Sequence, residues 1–118
     1  MFKIRGLIST PGKVLRRFNI NARTLIHCDW SKHGLGAVLG QLDAEGLEYL
    51  VACTSRSLNK HEAEYSSFKG EMLAACWACK IFIVYVLGLH FTLVTDHQPL
   101  LWMFSTSNVT VSSHDGRA

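Results

Sequence analysis

The sequence predicts an α/β fold built on one mixed sheet, and three observations carry that prediction. Three short strand-like runs follow one another on tight connections, an apolar stripe at steps of three and four comes next, and a fourth alternating run follows it. The order β-β-β-α-β-α puts a strand–helix–strand crossover after an antiparallel meander, so the fourth strand joins the sheet in parallel. With 118 residues, 48% of them hydrophobic and 18% charged, the chain suits a single domain with a real core and is too apolar for a disordered one.

Residues 1–20 hold no sustained period and contain Pro11-Gly12, a turn signal. Six of the twelve basic residues, Lys3, Arg5, Lys13, Arg16, Arg17 and Arg23, precede the first acid, Asp29. Two readings of that leader stand side by side: a surface for a phosphate backbone, or a solvated connecting segment. Thr24 to Trp30 is the first strand. Gly34 to Leu42 is the second, with glycines that imply close packing or a bulge. Asp43-Ala44-Glu45-Gly46 makes a polar turn into the third strand, Leu47 to Thr54.

Asn59 with Glu62 three residues on resembles a capping box, although Asn replaces the usual Ser or Thr. Tyr65, Phe68, Met72, Ala75, Cys79, Phe82 and Val86 then mark one face of a long helix stopped at Gly88. His90 to Asp96 alternates as the fourth strand, Pro99 opens a short helix through Met103, and the Ser/Thr-rich tail 105–118 reads as disordered. Met72 to Leu89 has the length of a membrane span, but Lys80 sits in its middle, at an insertion cost of about 2.5–3.5 kcal/mol. No membrane partner is expected. Cys28, Cys53, Cys76 and Cys79 lack the spacing of a small secreted domain and follow no secretory signal, so reduced thiols and an intracellular location, cytoplasm or nucleus, are expected.

Three acids stand where solvated acids usually do not. Asp29 and Asp96 end the first and fourth strands, and Glu71 lies at the border of the helix stripe. If those strands are parallel neighbours, both aspartates emerge at one edge of the sheet, where α/β folds build sites. Converging carboxylates raise one another's proton affinity unless a cation neutralises them, and hard oxygen donors suit Mg²⁺ or Mn²⁺. Two such ions about 4 Å apart activate water and stabilise the leaving oxygen of a phosphodiester. Spacing alone leaves the plainer reading open, in which the aspartates only end strands and Glu71 is a surface acid.

Five blocks of sequence add to this: His27-Cys28-Asp29-Trp30-Ser31, Gly34 through Gln41, Thr54-Ser55-Arg56-Ser57-Leu58, Tyr65 through Ala74, and Thr95-Asp96-His97-Gln98-Pro99-Leu100-Leu101-Trp102. Together, over about Val14 to Phe104, they resemble the RNase H-like domain of gypsy-type LTR retrotransposon reverse transcriptase polyproteins. The resemblance implies an RNase H-like sheet and assigns catalytic and metal-binding roles to Asp29, Glu71 and Asp96. It further implies Mg²⁺ (or Mn²⁺) as cofactor, an RNA–DNA hybrid as substrate, endonucleolytic hydrolysis of its RNA strand, and polymerase and integrase portions of a parent polyprotein as partners. The order Asp–Glu–Asp sets it apart from an integrase core, which places its Glu last.

On this reading residues 1–20 end the connection after the polymerase, 21–104 form the RNase H-like domain, and 105–118 are the disordered tail. Family members also carry a fifth strand and a later helix with a fourth acid. The chain is expected to lack both, and Asp115 is not promoted to that role. Trp30 replaces a small residue, Gly70 replaces a helix former at a cost near 1 kcal/mol, and Ile81, Ile83 and Val84 stand where the family has polar or basic residues. These departures keep an alternative open: a truncated, non-catalytic remnant that at most binds nucleic acid.

Cys76-Trp77-Ala78-Cys79, with His90 and His97 beyond it, has irregular spacing for zinc and sits mid-helix, where packing is the better account. It also lacks the helix N-terminal position of a redox pair. His97 either assists proton transfer or simply opens a helix. Arg56 and Lys60 are candidates for backbone contact.

Overall fold

The computed structural model of the protein describes residues 15–95 and 109–112. β1 (Thr24–Ser31) and β2 (Gly34–Leu42) form a hairpin across Lys32-His33, and β3 (Glu48–Ser57) completes the antiparallel meander. The polar turn before β3 closes on itself. Asp43 Oδ1 accepts from the backbone N–H groups of Glu45 and Leu47, each at 2.9 Å. The expected irregularity of β2 is present as a register shift between Leu39 and Gly40.

After the meander come α1 (Lys60–Ala63), α2 (Ser67–Ile81), α3 (Ile83–Val86), β4 (Phe91–Val94) and β5 (Val109–Ser112). The sheet order is β3-β2-β1-β4-β5, with β4 parallel to β1 and β5 parallel to β4. The α/β class, the meander and the parallel crossover are therefore as the sequence predicts.

One expectation about the sheet is overturned. The chain supplies a fifth strand of its own, so β4 is an interior strand rather than an exposed edge, and Val109–Ser112 are not disordered. A short strand beside a parallel neighbour has no local turn to announce it. The helix expected from Pro99 to Met103 lies outside the described residues.

The long helix is also corrected. Asn59 does build a capping box with Glu62, but it heads only α1. Ser66 then caps α2 by accepting from the Lys69 N–H, and Phe82, outside helical geometry, separates α2 from α3. Tyr65 precedes the second cap, so its phase does not carry into α2. The buried face is Gly70, Glu71, Ala74, Ala75 and Ala78, continued by Phe82 and Val86, whereas Phe68 is 41% exposed. The small residues let α2 lie close to the sheet, chiefly on β1. Gly88, with φ of 79°, marks the turn beyond α3.

Under α2 the core gathers Ile26 and Cys28 from β1, Leu35, Ala37 and Leu39 from β2, and Phe91 and Leu93 from β4. Residues ahead of β1 are bound to this body. The Arg16 N–H donates to Leu50 O at 2.8 Å, its guanidinium lies 3.9 Å from the centre of the Tyr49 ring, and Phe18 packs on Tyr85. Ile81, Ile83, Val84 and Leu87 form the exposed apolar ridge that the sequence foreshadows. Among the described residues no helix is long and apolar enough to cross a membrane.

Candidate active site

Two of the three predicted acids are described, and both are buried. Asp29, near the end of β1 and level with Gly36 of β2, is 2% exposed, and Glu71, in the second turn of α2, is 8% exposed. Strand alternation sends Ile26 and Cys28 toward α2. Glu71 lies on the buried face of α2 with Gly70, Ala74, Ala75 and Ala78, which let the helix pack close to β1.

Next to Asp29 in the chain is the Cys28 thiol. It is fully buried, with Sγ 3.8 Å from Val94 O. Burial pushes its pKa far up, and the charges of Cys79, Glu71 and Asp29 push it further, against a hydrogen bond with Thr95 that pulls it down. Cys28 is thus a neutral packing thiol.

Asp96 lies outside the described residues. β4, which precedes it in the chain, runs parallel to β1 with Leu25 level with Thr92 and His27 level with Val94, and Thr95 is fully buried. Among the described residues no group of three or more His, Cys, Asp or Glu side chains is placed to hold a metal ion. Asp29 and Glu71 are two members of the predicted set of three.

At this same end of the sheet an open groove is lined by Ser31, His33, Ser55, Arg56 and Ser57, among others. Arg56 is tied down beside it. Its two terminal nitrogens donate to the Glu62 carboxylate at 2.9 and 3.0 Å, and Glu62 also accepts from the Asn59 N–H at 3.0 Å. Arg56 first, and then the Asn59 backbone, hold the Glu62 pKa down to about 2. Arg56 therefore anchors α1 to β3, a structural role that its place in the sequence did not reveal.

Sequence reasoning also missed Gln41. This fully buried amide accepts from the Asn19 N–H (2.8 Å) and the Tyr49 hydroxyl (3.2 Å), and donates to Asn19 O (2.7 Å) and Thr24 Oγ1 (2.9 Å). A lone amide in an otherwise apolar strand was the available signal. Of Cys76 and Cys79 only Cys79 matches the packing reading, half-buried against the core, whereas Cys76 is exposed; both are free thiols, and His90 faces Thr110 of β5 at 2.8 Å.

Comparison with known proteins gives consistent results. A sequence profile described as the RNase H-like domain found in reverse transcriptase matches residues 19–115. Over 101 residues, 86% of its length, the chain is 38% identical to the Retrovirus-related Pol polyprotein from transposon 297 of Drosophila melanogaster, of which it covers 9%. It is 42% identical over 83 residues to the corresponding polyprotein from transposon 412 of the same fly, covering 70% of the chain and 7% of the relative. Over 97 residues it is 33% identical to the Transposon Tf2-3 polyprotein of Schizosaccharomyces pombe, covering 80% of the chain and 7% of that polyprotein. The chain thus spans less than a tenth of these relatives. Among solved structures, a foamy viral protease-reverse transcriptase in complex with dsDNA superposes with a TM-score of 0.70 at 12% identity, over 84% of this chain and 25% of that one, a likeness of fold alone.

Proposed function

This chain belongs to the family of RNase H-like domains found in reverse transcriptase, and we propose that it carries a metal-dependent endonuclease site that hydrolyses the RNA strand of RNA–DNA hybrids. Its relatives in transposons 297, 412 and opus fit the gypsy-type retrotransposon assignment. The observation that carries the activity is the burial of both Asp29 and Glu71, on β1 and α2, two elements that pack against each other.

The donor chemistry fits a hard divalent cation. Both acids offer oxygen, and the neighbouring thiol is kept protonated and out of competition. Asp29 and Glu71 would hold Mg²⁺ or Mn²⁺, with Asp96, which the family resemblance names, as the third ligand. The bound ions would supply a Lewis acid and an activated water for attack on the phosphodiester. The chain's own part is to hold the two carboxylates at one depth and to keep water from their core side. Ser31, His33, Ser55 and Ser57 offer short polar side chains to a sugar–phosphate backbone, which suits recognition by duplex shape and 2′-hydroxyls rather than by base sequence. As part of a polyprotein, the domain would work beside polymerase and integrase portions.

The test is cleavage of labelled RNA in a hybrid with Mg²⁺ or Mn²⁺, with chelator, and with Asp29→Asn. Cutting that needs the metal and disappears with the substitution is expected. Activity that survives either treatment overturns the proposal, and hybrid binding without cutting favours the non-catalytic alternative.

A further inference from the structure

Two departures from the family pattern, a tryptophan at 30 and a glycine at 70, meet each other in the fold. A Cβ built on Gly70 would collide with Cδ2 and Cε2 of the Trp30 indole and stand 2.7 Å from its Nε1. Trp30 shares the face of β1 that carries Ile26 and Cys28 and packs against the core beneath α2. The indole therefore sits in a notch in α2 that only glycine leaves open. Shape holds it there, since Trp30 Nε1 is buried and finds no hydrogen-bond acceptor among the described residues. Glycine is a poor choice in a helix interior, so its presence within the first turns of α2 is accounted for by the ring it admits.

The contact is one residue away from each acid: Trp30 follows Asp29 on β1, and Gly70 precedes Glu71 on α2. We propose that Trp30 is a positioning residue, whose indole, seated on Gly70, sets the separation of β1 and α2 at the level of Asp29 and Glu71 and thereby the spacing of the two carboxylates. This rests on the metal-site reading above. The two substitutions are then one compensated change rather than two independent losses. Either one alone disturbs the site: a small residue at 30 leaves the notch empty and lets the elements close, and a side chain at 70 wedges them apart.

The experiment is Mn²⁺ titration calorimetry on the full chain, together with thermal unfolding, for Trp30→Ala, Trp30→Phe, Gly70→Ala and the double Trp30→Ala/Gly70→Ala variant. Loss of a group that orients metal ligands commonly weakens affinity 10–100-fold, so Trp30→Ala should bind Mn²⁺ about tenfold more weakly. Trp30→Phe, which keeps the wedge without the N–H, should stay within roughly twofold of the parent on the same scale. The double variant should bind more tightly than Gly70→Ala, and if Gly70→Ala does not fold, the Trp30 pair decides. A Trp30→Ala variant that melts earlier but binds Mn²⁺ like the parent overturns the proposal, because the ring would then be packing only. If the parent binds no Mn²⁺, the functional reading fails separately. Crystal structures of parent and Trp30→Ala then decide the positioning claim: a changed separation of the Asp29 and Glu71 carboxylates upholds it, and an unchanged one ends it.

Discussion

The two ends of the central strand β1 bury polar groups in opposite ways. Where the strand begins, Gln41 satisfies both lone pairs of its oxygen and both of its N–H groups with Asn19, Thr24 and Tyr49. That knot is neutral and complete, so it stabilises and fixes register without offering chemistry. Where the strand ends, Asp29 is buried, as is Glu71 on α2, and both oppose ionisation of the Cys28 thiol. Holding like charges together out of water is unfavourable for folding, and it becomes useful once a cation arrives. The contrast separates a polar cluster that serves the fold from one that the fold supports for another purpose.

The largest expected effect tests the acidic end. Asp29→Asn should lower hybrid cleavage at least about a thousandfold, roughly 4 kcal/mol of transition-state stabilisation, while its urea unfolding midpoint stays at or above that of the parent. A stability loss matching the activity loss would make Asp29 a structural acid and dissolve the comparison. Next comes the neutral end. Gln41→Leu takes the amide partner from the buried Thr24 and Tyr49 hydroxyls, and at about 1–3 kcal/mol for each buried group left unsatisfied it should lose roughly 2 kcal/mol or more in urea unfolding.

A third acid sharpens the contrast, because the protein balances it with its own arginine. The Glu62 pKa is depressed to about 2 from 4.5 by Arg56 and the Asn59 backbone. The unfolded chain takes up that proton first, so the stabilisation is full above about pH 4.5 and is lost as pH falls toward 2. Arg56→Ala should flatten this part of the stability profile, measured by urea unfolding between pH 2 and pH 5. Smaller still is the cap of α1. Asn59→Ala removes the side-chain acceptor 2.8 Å from the Glu62 N–H and should cost about 1 kcal/mol. Val84→Lys, at a site 82% exposed, should leave unfolding within about 0.5 kcal/mol while reducing self-association in sedimentation velocity.

Much of the meander was legible in advance. β2 spans the same residues that its apolar run and flanking turns imply, and β1 and β3 differ only at their ends. Asp29 and Glu71 stood out because acids sat within or beside apolar patterns, and the parallel β1–β4 pairing followed from the crossover. The helix was less legible. The stripe drawn from Tyr65 to Val86 passes over Ser66, although a serine can also cap a fresh helix, and the choice between those depends on what the helix packs against.

By itself, the sequence determined the features that depend on neighbours along the chain: alternation that makes a strand, the Asn59–Glu62 box that starts a helix, the Asp43 turn, and the identity of the acids. Tertiary structure alone decided which face of α2 is buried, that Val109–Ser112 adds a fifth strand, that Gln41 ties Asn19 to the sheet, and that Trp30 rests on Gly70. The physical reason is the range of the interactions. Backbone propensity and turn chemistry act over a few residues. Burial, parallel pairing and side-chain fit join residues that are twenty to forty positions apart or more in a mixed sheet, and no local pattern encodes which distant surface a side chain will meet.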